Sequence, residues 1–458
     1  MAIAAAWAGT ALWQAMKPLP PGARIASAGY TVPAAQVGFF ADTTVADAYG
    51  RPLASQAIFD QMLAVVHGAR EFIVLDYFLF NDQLATAPDA AAPIRALSKE
   101  LRDALLEQRR SHPALRILFV TDPINTADGG VPSNDFAMLR AAGVDMVVTD
   151  RGRLRDASFL FAHLWRLTIG RWRGHGRLES ANHRRTLIAD DGHGGLVGIV
   201  GSADPRDASS PYSNVAAKLS GPVLAPLLAS ELAIARFSGW RGLIGPAPGP
   251  PRKAAAIPDE RAAKVSIATE GAIQASLLEH INGAVRGDAI DIAMFHIADR
   301  DVIESLLAAN TRGVHVRLIL DPDKDSLGVA SIPNGPVASE LVTASDGAIH
   351  VRWYRTHGEE FHTKLVMIYG ATHLWVTLGS ADLTRRNLAN YDLNANVAID
   401  TAAGTPLALQ MRDYFETLWS NRALQGVEYS TDFGVYADSS QAHYWLYRLM
   451  DWTGIASF

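Results

Sequence analysis

Apolar positions fall into short dense runs separated by longer amphipathic stretches, and the order of the runs occurs twice. Phe72-Ile-Val-Leu-Asp-Tyr-Phe-Leu-Phe-Asn-Asp82 in the first half matches Ile290-Asp-Ile-Ala-Met-Phe-His-Ile-Ala-Asp299 in the second. Each predicts a buried strand ending in a polar turn. After a helical stretch, Leu115-Arg-Ile-Leu-Phe-Val-Thr-Asp-Pro123 matches Val316-Arg-Leu-Ile-Leu-Asp-Pro322, strands that stop at Asp-Pro. Another helical stretch leads to Gly143-Val-Asp-Met-Val-Val148 and Ala348-Ile-His-Val-Arg-Trp353. Strands alternating with helices predict an α/β fold of two similar lobes, each a mainly parallel β-sheet flanked by helices. A functional site is expected where the pseudo-twofold pair meets.

The run Gly245-Pro-Ala-Pro-Gly-Pro-Pro251 has no apolar period and reads as a semi-rigid linker. Residues 245–258 thus divide an N-terminal lobe, 1–244, from a C-terminal lobe, 259–458. The start, Met1 to Trp13, is apolar for about a dozen residues where a bilayer span needs about 20. It predicts a helix packed on the body, with a membrane-interface anchor or a signal remnant as the alternative. Lys17 is the first basic residue, so the charged beginning of a secretory signal is not seen.

Composition narrows the chemistry. Among 458 residues there is no cysteine, which excludes disulfides, a thiol nucleophile and a thiolate zinc site. A net charge of −6 argues against a general nucleic-acid binder while leaving room for a local basic cleft.

The repeat continues into its most polar part. Asn182-His183-Arg184-Arg185 precedes an apolar strand, a Gly-rich turn and Leu196-Val-Gly-Ile-Val-Gly201-Ser202-Ala-Asp204. Phe361-His362-Thr-Lys364 precedes a strand, a turn and Leu374-Trp-Val-Thr-Leu-Gly379-Ser380-Ala-Asp382. Residues two apart share a strand face, so His183 goes with Arg185 and His362 with Lys364. Gly-Ser offers close approach and donors for an anion. A phosphate between two such lobes would meet two imidazoles and two cations, which suits phosphodiester chemistry by a nucleophile and a general acid.

This pairing resembles the phospholipase D superfamily, whose mark is H-x-K-x4-D followed by G-S-x-N, usually present twice, and the resemblance runs from about Phe72 to Val397. It implies His183, Arg185, His362 and Lys364 as catalytic residues, and a phosphohistidine intermediate formed without a metal or other cofactor. Ser202, Ser380, Asp204 and Asp382 are the implied substrate-binding residues, and Asp190, Asn214 and Asn394 the orienting ones. The departures are Arg185 for Lys, Tyr369 for Asp, Asp204 and Asp382 for Asn, and Asn214 and Asn394 where many relatives carry an acid.

Two other readings of these residues stay open: His183, Asp190, Asp191 and His193 as ligands of a divalent metal, and a phosphate-binding member that has lost catalysis.

Substrate class comes from Arg151 to Arg177, which holds seven Arg and one acid, with Phe161, Trp165, Ile169 and Trp172 at helical spacing. That is the pattern of a helix lying on anionic lipid, or of a core helix with solvated arginines. The expected substrate is a phospholipid or another phosphodiester, hydrolysed or transferred as in cardiolipin synthases, with a nuclease as alternative. Peripheral contact with an anionic membrane is expected, without an obligate nucleic acid. The implied location is membrane-associated, periplasmic or secreted, with the cytoplasm also open.

Overall fold

The computed structural model describes residues 2–47, 51–83, 94–126, 132–156, 180–245, 261–322, 333–422 and 427–453. The first sheet runs β2 (Gly38–Asp42), β10 (Asn214–Ser220), β9 (Leu196–Gly201), β8 (Arg185–Asp190), β5 (Phe72–Tyr77), β6 (Arg116–Thr121), β7 (Asp145–Val148). The second runs β1 (Tyr30–Pro33), β11 (Ala262–Thr269), β17 (Ala395–Ala402), β16 (His373–Gly379), β15 (Lys364–Tyr369), β12 (Ala289–Met294), β13 (His315–Leu320), β14 (His350–Tyr354), β18 (Ser430–Asp432). A small hairpin, β3 (Thr44–Ala46) and β4 (Pro52–Ala54), stands apart.

The two-lobe α/β reading holds, and the balance of strand directions differs from it. Only β5–β6–β7 and β12–β13–β14 are parallel, while every other named pairing is antiparallel. Parallel neighbours need a crossover, supplied by helices Leu97–Ser111 and Asp135–Ala141 in one lobe and Arg300–Thr311 and Asn334–Ala344 in the other. Short turns join β8 to β9 and β15 to β16, so each of these pairs is a hairpin.

Burial on both faces explains the dense apolar runs. Phe72, Val74, Leu118, Val120 and Ile188 point into a central core, while Ile73, Leu75, Ile117, Phe119 and Leu187 point under the outer helices. In the second sheet Leu365 and Met367 face the centre, and Val366 and Ile368 face outward. The central core joins Val200 and Val215 of one sheet to Val376, Leu378 and Val397 of the other. The layers are therefore helix, sheet, sheet, helix. The chain start straps them together: β1 pairs with β11 in the second sheet, and β2 with β10 in the first.

A buried cluster of charged groups sits inside this contact. Arg184 is fully buried and donates to Glu270 Oε1 at 2.8 Å, Ser230 Oγ at 3.0 Å and Ala23 O at 2.9 Å. Glu231 lies 3.3 Å from the same guanidinium. Burial raises the Glu270 carboxyl above its usual range, and Arg184 opposes that rise. Nearby Asp76 is held well above its usual range by burial and then by Glu231. Removing one member of such a pair strands the other charge. Arg184→Ala is expected to lose about 3–5 kcal/mol of unfolding free energy, measured by urea titration; a loss within experimental error would show that the ion pair does not hold the lobes.

Candidate functional site at the lobe interface

The segments leading into β8 and β15 are held twice, once by their own lobe and once by the other. β6 and β13 end at the two Asp-Pro turns. Asp122 Oδ2 accepts from Asn182 N at 2.9 Å, and Asp321 Oδ2 from Phe361 N at 2.7 Å. Across the seam, His183 N donates to Leu393 O and Leu393 N to Ala181 O, each at 2.9 Å, while Ser213 N donates to Glu360 O at 3.1 Å. Each histidine thus enters its strand pinned to the opposite lobe.

His362 Nδ1 lies 3.1 Å from Asn214 Oδ1. Asn214 Nδ2 donates to Tyr212 O at 3.1 Å, so its amide oxygen faces the imidazole and Nδ1 is the donor. This leaves Nε2 as the reactive nitrogen. His183 Nδ1 lies 3.8 Å from Asp392 Oδ2, within ion-pair reach and beyond a hydrogen bond. Asp392 Oδ1 accepts from Ala181 N at 2.8 Å. His183 is pulled well below the ordinary imidazole range by burial, then by Arg185 and Arg386. His362 is pulled the same way by burial, then by Lys364 and Arg185. Lys364 also acts on His183, so the four motif side chains of both lobes share one field.

Each motif cation has its own counter-ion. Arg185 Nε donates to Asp204 Oδ2 at 2.7 Å, and Lys364 Nζ is 3.3 Å from Asp382 Oδ1. The same carboxylates accept Leu79 N at 3.1 Å and His296 N at 3.2 Å. Phe78 and Phe295 complete the symmetry: Arg185 lies 5.7 Å from the Phe78 ring centre and Lys364 4.9 Å from that of Phe295. Their ring centres are 4.2 and 5.0 Å from those of His183 and His362.

Several expected roles are placed elsewhere. Ser202 Oγ donates to Asn214 Oδ1 at 2.9 Å and Ser380 Oγ to Asn394 Oδ1 at 3.1 Å, while their N–H groups bond Val215 O and Ala395 O. Both serines are fully buried and work inside their lobes. The glycine before each is a matter of space: a Cβ on Gly201 or Gly379 would lie 2.7 or 2.3 Å from the carbonyl oxygen of Val215 or Ala395. Asp190 sits at the far end of β8, accepting from the N–H groups of Arg70, Glu71, Phe72 and Gly192, and so closes the turn into β5 rather than orienting a histidine. Asn394 bonds Ser380 and receives no histidine; Asp392 is the side chain beside His183.

Tyr369 donates to Asp291 Oδ2 at 2.8 Å, and Asp288 accepts from Val285 N before β12. The proposed metal ligands are separated: His183 and Asp190 flank the strand from opposite ends, about 20 Å apart at strand rise, and Asp191 caps His193 N and Gly195 N. Phe161, Trp165, Arg166, Ile169, Arg171, Trp172 and Arg173 lie outside the described residues, as does most of the 245–258 linker.

Sequence reasoning missed Phe78, Phe295, His296, Tyr212 and Glu360 as neighbours of the histidines. Their signal was positional, since Phe78 and Phe295 directly follow equivalent strands.

A family model described as "Cardiolipin synthase, PLD-like domain" matches residues 277–419. Cardiolipin synthase A of Pseudomonas putida strain GB-1 is 24% identical over 376 residues, covering 79% of this chain and 67% of that protein. Cardiolipin synthase A of Salmonella arizonae is 27% identical over 310 residues, covering 63% and 57%. The chain thus matches about two thirds or less of the length of these relatives. In fold it is similar to the crystal structure of phosphatidylserine synthase from Haemophilus influenzae Rd KW20, with a TM-score of 0.58, 11% identity and 96% of each chain covered.

Lys364, only 1% exposed, is lowered to about 8 from 10.5, chiefly by burial with Asp382 opposing. Below pH 8 the folded state bears the full penalty of holding this ammonium. As pH rises from 8 toward 10.5 the folded protein has released the proton and the unfolded chain has not, so stability rises. Relative to Lys364→Met, the wild type should gain about 3 kcal/mol across that window, followed by chemical denaturation at stepped pH. A constant difference would mean the ammonium is not desolvated.

Proposed function

Because the chain belongs to the phospholipase D superfamily, we propose that it cleaves the phosphodiester of a phospholipid and passes the phosphatidyl group to water or an alcohol. The observation that carries this reading is the meeting of His183 and His362 across the seam, each beside a buried cation and a phenyl ring. One imidazole Nε2 attacks phosphorus while the other protonates the departing oxygen, giving a phosphohistidine; the second imidazole then takes a proton from the incoming hydroxyl. Arg185 and Lys364 draw the phosphate oxygens. Their pairing with Asp204 and Asp382 leaves the four groups near neutral, which suits a monoanionic diester better than a dianionic monoester.

The surface supports contact with a lipid layer. Leu12, Trp13 and Met16 on the first helix are 63%, 60% and 71% exposed, with Lys17 5.7 Å from the Trp13 ring centre. Trp445 on helix Gln441–Thr453 is 64% exposed, and that helix ends on Arg385, three residues after Asp382. Indole rings beside cations are suited to a headgroup boundary. Among the described residues no helix is long and apolar enough to cross a membrane.

The test offers phospholipid vesicles, a primary alcohol and a DNA fragment to the protein in excess EDTA, with products read by mass spectrometry. Phosphatidyl alcohol or phosphatidic acid should form, and His183→Ala and His362→Ala should each lose about 1000-fold or more in turnover. The wild-type rate should fall above pH about 8 as Lys364 loses its proton, and Lys364→Arg should abolish that fall. DNA cleavage without lipid turnover would replace this reading by a nuclease. Phosphate binding with no turnover would make the protein a binder.

A further inference from the structure

Asn182 precedes His183 and is fully buried, so its side-chain amide governs where the lead-in to β8 rests. Its Nδ2 donates to Asp76 Oδ1 and Oδ2 at 2.8 and 2.9 Å and to Thr149 Oγ1 at 2.9 Å. Asp76 projects from β5, the neighbour of β8, and faces Glu231 of helix Ala225–Phe237 within hydrogen-bonding reach. Three other charged groups surround this pair. Arg184, in the lead-in, lies 3.3 Å from Glu231 and 2.8 Å from Glu270, which follows β11. Asp122, after β6, accepts from Asn182 N at 2.9 Å and is itself paired with Arg151.

Asp76, Arg184, Glu231 and Glu270 are all fully buried. Ionised together, three carboxylates and one guanidinium would leave two uncompensated negative charges in the core. A group so placed gives up its charge rather than carry it unpaired, and of two carboxylates in contact one keeps its proton. Hydrogen bonding points to the same pair. Glu231 Oε1 accepts from Thr186 Oγ1 at 2.9 Å, whereas Glu231 Oε2 is buried with no protein donor among the described residues. A proton on Asp76 gives that carboxylate the donor it lacks. Burial, and then the Glu231 charge, push the Asp76 carboxyl well above its usual range.

We infer that Asp76 stands in the folded protein as a neutral acid donating its proton to Glu231, and that this acid–carboxylate pair fixes Asn182 and with it the His183 lead-in at the seam. Asp76 is thus a positioning residue that acts through Asn182. Arg184 then lies between two carboxylates, and the single excess charge is spread over donors from Thr186 and, across the seam, from Asn394 N, 3.3 Å from Glu270 Oε1. The pair needs no substrate, so it holds whatever ester the site cleaves.

The experiment follows urea unfolding of the full chain at stepped pH, together with its infrared spectrum and amide exchange at about pH 7. An Asp in the unfolded chain ionises near pH about 4, while the folded protein keeps the Asp76 proton. The folded state binds one proton more, so stability falls as pH rises. Each pH unit above about 5 should cost the wild type about tenfold in its folding constant relative to Asp76→Asn, until Asp76 itself ionises. The wild type should also show the C=O stretch of an un-ionised carboxyl that Asp76→Asn lacks. An amide imitates the neutral acid, accepting from Asn182 and donating to Glu231. The His183 and Leu393 N–H groups should therefore exchange within about threefold of the wild-type rate in Asp76→Asn, and about tenfold or more faster in Asp76→Ala, where Asn182 loses its acceptor. Glu231→Gln removes the like charge and should end the tenfold slope at lower pH, which keeps the test open if Asp76→Asn does not fold. A pH-independent difference from Asp76→Asn, no loss of the infrared band, exchange in Asp76→Asn as fast as in Asp76→Ala, or a slope unchanged by Glu231→Gln would overturn the assignment while leaving the phosphodiester reading standing.

Discussion

The site depends on an exchange of backbone hydrogen bonds between the lobes. His183 N and Leu393 N bond across the seam at one place, and Ser213 N bonds Glu360 O at its pseudo-twofold counterpart. Buried amides with no water to turn to must find such partners, and these find them only when both lobes are in place. The histidine lead-ins are therefore shaped by the contact itself. The apolar layer between the sheets supplies adhesion, while the Arg184–Glu270 pair, one residue from His183, penalises any other alignment.

Electrostatics follows from this closeness. Two cations and two imidazoles buried together would repel, and the protein meets that in two ways. Asp204 and Asp382 neutralise Arg185 and Lys364, and burial with the nearby cations keeps both histidines inclined to be neutral. A neutral imidazole is a nucleophile, and one whose proton is weakly held is a ready acid once charged. The same carboxylates accept Leu79 N and His296 N, so the turns that carry the phenyl rings are fixed by the groups that balance the charge.

Pseudo-symmetry in the backbone leaves the side chains free to diverge. Asn214 reaches His362, whereas its sheet equivalent Asn394 stays on Ser380, and Asp392 takes the place beside His183. An alignment of the two halves equates Asn214 with Asn394 correctly, yet equal positions in a strand do not guarantee equal partners across an interface. Asp190 and Tyr369 make the same point, one closing a turn through backbone amides and the other joining the Asp291–Arg317 ion pair.

The sequence by itself determined the repeat, the order of strands along each half of the chain and the pairing of His183 with Arg185 and His362 with Lys364. These follow from local periodicity, in which strand residues two apart share a face whatever lies beyond. It also marked the Asp-Pro turns, without showing that Asp122 and Asp321 hold the histidine lead-ins. Only the tertiary structure decided which side chain meets each imidazole, that the motif serines work inside their lobes, and that Asp204 and Asp382 serve as counter-ions. Those contacts join residues up to 211 positions apart, as between Ala181 and Asp392, and no local pattern encodes a distance of that kind. They arise where two independently patterned sheets are pressed together and every buried charge and amide must be satisfied at once.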